Sequence, residues 1–266
     1  MGRVAFALVL HELQERARDR WVVIVTALFA LLAVGIAAYG SAAEDSSAVV
    51  MAPSLVTLAA FLVPLVALVL GHDAIVGERE RHTLGLLLSL PVRRSEVLVA
   101  KYVGRLIALI VAVTVGLGSA CIFLGPGQRA VVLSLLPPTL LLGASFLSIG
   151  VLISTSTHKV ATAASMAVAV WFVVVFAYDL GLLAALVATD GALSQDTVAW
   201  AVTLNPAGLY RTALIARLVG ESALGDLGMV VQLPSIATRT VIWAAWICVP
   251  LMLGSIQLGR RKAVTA

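Results

Sequence analysis

Apolar residues gather into six long blocks along this chain, at 21–39, 54–71, 102–124, 131–153, 160–187 and 237–258, with polar stretches between them. Each is close to or above the roughly 18–20 residues that a helix needs to cross a hydrocarbon core of about 30 Å. Polar and apolar positions do not alternate inside the blocks, as they would in a transmembrane barrel. Backbone groups in lipid must also bond within their own segment, which leaves helices as the spanning form. The pattern predicts an all-α polytopic membrane protein, one transmembrane domain over 1–266 with six spanning helices. The fifth block is longer than a perpendicular helix requires, which predicts tilt or protrusion. Pro64 predicts a kink in the second helix, and Pro137-Pro138 an irregular start to the fourth. Gly116 with Gly118, and the run Ala161, Ala164, Ser165 and Val168, offer small faces for close helix packing.

Three segments break this apolar rhythm. Residues 1–20 precede the first span, and within 3–19 Phe6, Leu10, Leu13 and Ala17 share one helical face. His11, Glu12, Glu15, Arg16, Arg18 and Asp19 lie elsewhere, which predicts an amphipathic helix at the membrane interface. Residues 73–101 form a charged loop between the second and third spans, and 77–101 alone hold five Lys/Arg. Charge of that density requires water. The third segment, 188–236, has mixed polarity and 49 residues, too many for a turn. It could dip back into the membrane or form a small external platform.

Composition agrees: 61% hydrophobic residues, 12% charged ones and a mean hydropathy of +1.06 lie outside the range of soluble domains. The net charge of +4 is read as loop asymmetry rather than a nucleic-acid surface. With both termini cytoplasmic, fourteen Lys/Arg fall on that side and only Arg129, Arg211, Arg217 and Arg239 on the other. That positive-inside bias predicts the orientation, in a bacterial inner membrane.

Catalytic chemistry finds little support. The chain has no G-x-x-x-x-G-K-[ST] phosphate cradle, no G-x-S-x-G, and at His11–Glu15 a sequence that replaces the last ligand of H-E-x-x-H with Glu. The two cysteines, Cys121 and Cys248, sit in apolar runs, and Met51 and Met229 are isolated, so no metal site is expected. Asp179, beside Tyr178, is the one acid deep in an apolar block. An ionised Asp near mid-bilayer costs about 2.5–3.5 kcal/mol, so the pair should face a partner or water, lining a path or making a bundle hydrogen bond. Asn205, Pro206, Tyr210 and Arg211 are polar candidates for docking a periplasmic partner; Asn-Pro equally suits a helix start.

The charged loop is the most informative stretch. Glu78, Arg79, Glu80 and Arg81 give a charged first turn after Gly77. Leu84, Leu87 and Leu88 then form an apolar ridge at i, i+3, i+4, and Pro91 stops the helix before Arg93 and Arg94. The ridge reads either as an interfacial helix obeying the topology rule, or as a short helix that seats in a groove of a cytoplasmic partner.

The order of elements and this loop resemble the ABC-2 type family of ABC-transporter permease subunits. Residues 77–94 match that family's G-E-R-E-x-G-T-L-E-x-L-L-x-x-P-x-x-R pattern, including Thr83, and depart at His82, usually Gly, and Gly85, often Glu. DAIVGERE at 73–80, WFVVVFAYDLGLLAAL at 171–186 and LNPAGLYR at 204–211 look like the subgroup that serves nitrous oxide reductase maturation. The resemblance implies an elbow helix over 1–20, a coupling helix in the 73–101 loop and a periplasmic segment at 188–236. It also implies a homodimer carrying two copies of a cytoplasmic ABC ATPase (NosF-like), which would hold ATP and Mg, this chain binding no cofactor itself. A periplasmic copper-handling protein (NosD-like) would dock outside, in assembly of a copper–sulfide centre. An ABC-2 exporter of lipid, polysaccharide or drug, and a non-transporting relay scaffold, remain open alternatives.

Overall fold

The computed structural model describes residues 3–17, 20–42, 47–89, 93–219 and 234–260. These form α1 (Arg3–Ala17), α2 (Arg20–Ala42), α3 (Ser47–Gly71), α4 (Val76–Glu80), α5 (Leu84–Ser89), α6 (Arg94–Ala120) and α7 (Pro126–Ser156). After them come α8 (Val160–Phe172), a π turn (Val173–Ala177), α9 (Tyr178–Ala188), α10 (Gln195–Leu204), α11 (Pro206–Val219) and α12 (Ile236–Arg260). No strand occurs among the described residues. Among the described residues six helices are long and apolar enough to cross a membrane: Val22–Gly40, Met51–Glu80, Arg94–Phe123, Pro126–Ser156, Val160–Ala188 and Ile236–Gly259. The protein is an all-α polytopic membrane protein.

Spans two and four form the centre, and α3 packs along α7. They meet backbone to backbone where Gly71 faces Gly150: a Cβ on Gly150 would lie 3.0 Å from the Gly71 Cα. Any side chain there would push the two helices apart. Gly116 accommodates the ring of Phe29 on span one, whereas Gly118 has nothing within 4 Å. Of the small residues on α8, Ala164 is half-buried, while Ala161, Ser165 and Val168 are exposed.

The prolines behave differently from one another. Pro64 lies inside α3. Pro137 and Pro138, expected at an irregular start, instead lie well inside the continuous helix α7, which begins at Pro126. Nearby, the Ser134 and Thr139 hydroxyls bond back to the carbonyls of Val131 and Leu135 within the same helix. In α12, Pro250 has no N–H for the Trp246 carbonyl one turn earlier, and Ser148 of span four donates to that carbonyl instead at 2.8 Å. The length of span five is broken by the π turn at 173–177.

The segment after span five turns back onto the helices in its described part. Helices α10 and α11 make a hairpin whose tip is pinned inside the bundle. Asn205 Nδ2 donates to the Val174 carbonyl at 2.9 Å, Trp246 Nε1 to the Leu204 carbonyl at 2.9 Å, and the Tyr210 hydroxyl bonds Thr139 at 2.8 Å. At 1.5 Å per residue, those anchors lie about 15–20 Å along their helices from the far ends of the spans. The described part of the segment folds back along the bundle. Residues 220–233 lie outside the described residues.

Candidate functional site

The charged loop begins where span two ends, and its backbone is held from its first turn. The amides of Ile75 and Val76 donate to the Ser154 hydroxyl of α7 at 2.8 and 3.0 Å. Four residues of the predicted motif then tie the loop to four different elements. Glu78 receives Lys101 of α6 at 2.9 Å, and Thr83 closes back onto the same carboxylate. Arg79 donates to the Thr157 carbonyl at the end of span four. Glu80 accepts the Val160 amide at 2.8 Å, satisfying one of the free N–H groups at the start of α8. Arg81 pairs with Glu15 of α1 at 2.8 Å, and that bond first of all pushes its guanidinium pKa further up.

Beneath this loop lies a buried ionic cluster that periodicity did not reveal. Lys101 and Arg105, one turn apart on α6, both reach Glu12 of α1, at 2.8 and 2.7 Å. Arg105 also donates to Asp73 and to the Leu70 carbonyl. Glu12, Lys101 and Arg105 are all buried. Glu12, which the pattern places off the apolar face of α1, is therefore turned into the bundle. Phe6, at 62% exposed, and Leu10 face away from the bundle, while Val9 and Glu12 face in. The approach is close: a Cβ on Gly104 would lie 2.8 Å from that of Glu12. The signal that could have found the cluster was two basic residues four apart at the edge of an apolar block, which demand acidic partners.

Of the apolar ridge, Leu84 is half-buried against the core, and Leu87 is half-buried in a cleft of about 330 Å³ between α1, α5 and α6. Leu86, at 71% exposed, and Gly85 form the outer face of α5. The side chain of Leu88 and all of Pro91 lie outside the described residues. Arg93 is exposed and starts α6, its amide accepted by Glu96 at 3.0 Å. Arg94 donates to the Leu258 carbonyl at 2.8 Å, a cation placed at the C-terminal end of α12.

At the other end, Asp179 forms an ion pair with Arg211, the side chains being 39% and 23% exposed, and the Tyr178 hydroxyl donates to the Ala201 carbonyl at 2.6 Å. Both ties join α9 to the hairpin. Asn205, Pro206 and Tyr210, expected at an outer docking surface, are buried in the bundle. A docked protein could not touch them in this arrangement. Asn205 Oδ1 instead accepts the Ala207 amide at 3.0 Å and starts α11. Among the described residues no group of three or more His, Cys, Asp and Glu could hold a metal ion.

Six spans, an N-terminal helix lying on them and a charged loop bound into the bundle define a helical polytopic membrane protein. The model of the ABC-2 family transporter proteins matches residues 6–263, and the chain belongs to that family. It is similar to "Probable ABC transporter permease protein NosY" of Stutzerimonas stutzeri, at 38% identity over 266 residues, 94% of this chain and 96% of that protein. The protein of the same name from Pseudomonas aeruginosa is 36% identical over 264 residues, covering 95% and 94%.

Proposed function

We propose that this chain is the membrane half of a NosY-like ABC transporter that converts the motion of a separate ATPase into movement of its spans. Two copies would form a homodimer in the bacterial inner membrane, both termini cytoplasmic, each copy carrying a NosF-like ATPase that holds ATP and Mg. The outer end would act on a NosD-like periplasmic copper-handling protein, in assembly of the copper–sulfide centre of nitrous oxide reductase.

One observation carries this reading. The 75–83 segment is bonded to α1, α6, α7 and α8, and among the described side chains of α5 Gly85 and Leu86 are exposed. A push on α5 would reach four elements through short, charge-assisted bonds. Glu78, Glu80 and Thr83 serve in this reading as the internal transmission, and Leu86 as the contact. An apolar side chain seated in a partner groove contributes on the order of 1–2 kcal/mol.

Leu86→Asp is the direct test, because the Leu86 side chain is 71% exposed. Its expected effect is an about tenfold weaker association with the co-expressed ATPase, with the melting temperature of the permease unchanged. Native association and native stimulation of ATP hydrolysis by the variant would overturn the coupling role.

A further inference from the structure

The π turn at 173–177 divides span five into two halves held by different partners. On the loop side, Trp171 Nε1 donates to the Phe61 carbonyl of span two at 2.9 Å. Phe176, within the turn, stacks on the Phe61 ring at a centroid distance of 4.8 Å. On the far side, Tyr178 and Asp179 hold the hairpin through Ala201 and Arg211. At the turn itself, the Val174 carbonyl accepts Asn205 at the hairpin tip.

We propose that this π turn is a two-state latch for the α10–α11 hairpin. A π turn carries one residue more than an α turn, so closing it to α geometry rotates α9 by about 100° and shifts it by about 1.5 Å against α8. That rotation carries Tyr178 and Asp179 away from Ala201 and Arg211, and removes the Val174 carbonyl from Asn205. Three of the hairpin's ties break together. The bonds of Trp246 to Leu204 and of Tyr210 to Thr139 lie on spans six and four and stay. The π state therefore seats the hairpin and the α state loosens it, pivoting on its remaining anchors. Asn205 is the sensing residue, since one side-chain amide both starts α11 and reads the state of span five. The latch is a property of this chain alone and does not depend on the ATPase reading.

Asn205→Ser tests it in lipid nanodiscs. Serine keeps a capping oxygen but is too short to reach Val174. Hydrogen exchange and electron–electron distances are read on a variant with Cys121 and Cys248 replaced and spin labels at Leu183→Cys on α9 and Leu141→Cys on α7. The expected result is about tenfold faster exchange over 203–212 with spans two and four unchanged. A second distance population, displaced by about 10 Å, should accompany it. Deletion of Val173 removes the extra residue and leaves α9 in the register of the π state, so combined with Asn205→Ser it should give the native distance alone, and a second distance in that double variant overturns the latch. Unchanged exchange overturns the latch, and so does faster exchange with a single native distance. If the deletion variant does not fold, Asn205→Ser decides alone.

Discussion

Two residues show how much chemistry can hide behind an unremarkable sequence position. His82 stands where the family pattern has Gly, and its φ of 61° lies in the left-handed region that glycine adopts freely. A histidine there carries roughly 1–2 kcal/mol of backbone strain, partly offset by the smaller entropy it loses on folding. His82→Gly is expected to stabilise the turn by on the order of 0.5–1 kcal/mol, measured as slower amide exchange at Arg81 and Thr83. Faster exchange would mean that the imidazole contributes more than its backbone costs. Lys101 makes the opposite case. It reads as one more basic residue in the topology count, yet it bridges Glu12 and Glu78 in the interior. Lys101→Met should leave the half-buried Glu78 without its cation and the buried Glu12 with Arg105 alone, lowering stability by about 3 kcal/mol, seen as a drop in detergent melting temperature. The sequence revealed the loop's charge but not its destination. Pairing across 89 residues, from Glu12 to Lys101, leaves no periodic trace.

At the scale of elements, legibility followed the strength of the period. All six spans were readable from apolar length alone, because a bilayer imposes one requirement on every spanning segment. Pro137-Pro138 were misread because local propensity was given priority over a helix with bonded neighbours on both sides. The π turn gave no sequence signal, since an excess residue leaves the apolar count unchanged. Helix contacts were likewise only half readable: Gly116 and Gly118 look equivalent, but only Gly116 is met by a ring. The consequential contact is Gly71 against Gly150, four residues before the Ser154 hydroxyl that holds the loop. Gly150→Ala is expected to separate spans two and four by a few tenths of an ångström and to cost about 1–3 kcal/mol. The bonds of Ser154 to Ile75 and Val76 should weaken with it, so amide exchange at 75–76 ought to rise more than at 55–65. Equal rises in both places would show a general loss of packing rather than a loosened joint.

For the whole molecule, orientation and hairpin depth can be checked together. The proposed orientation puts fourteen Lys/Arg on the cytoplasmic side and four on the other, as the positive-inside rule expects. The hairpin tip, buried by bonds to spans four, five and six, belongs to neither aqueous face. With Cys121 and Cys248 replaced, three single cysteines separate these statements. Ser95→Cys, exposed at the loop end, should react with a membrane-impermeant maleimide only in inverted vesicles. Ala192→Cys, exposed before α10, should react only in spheroplasts. Ala207→Cys should react in neither, because its position is fully buried below the outer ends of the helices. A reversed pattern at the first two sites would overturn the orientation and, with it, access of a cytoplasmic ATPase to α5. Labelling of Ala207→Cys in spheroplasts alone would keep the orientation and show that the hairpin opens to the outer solution. Its rate would then measure how often the far end unseats, and that opening is what motion transmitted from α5 would have to control.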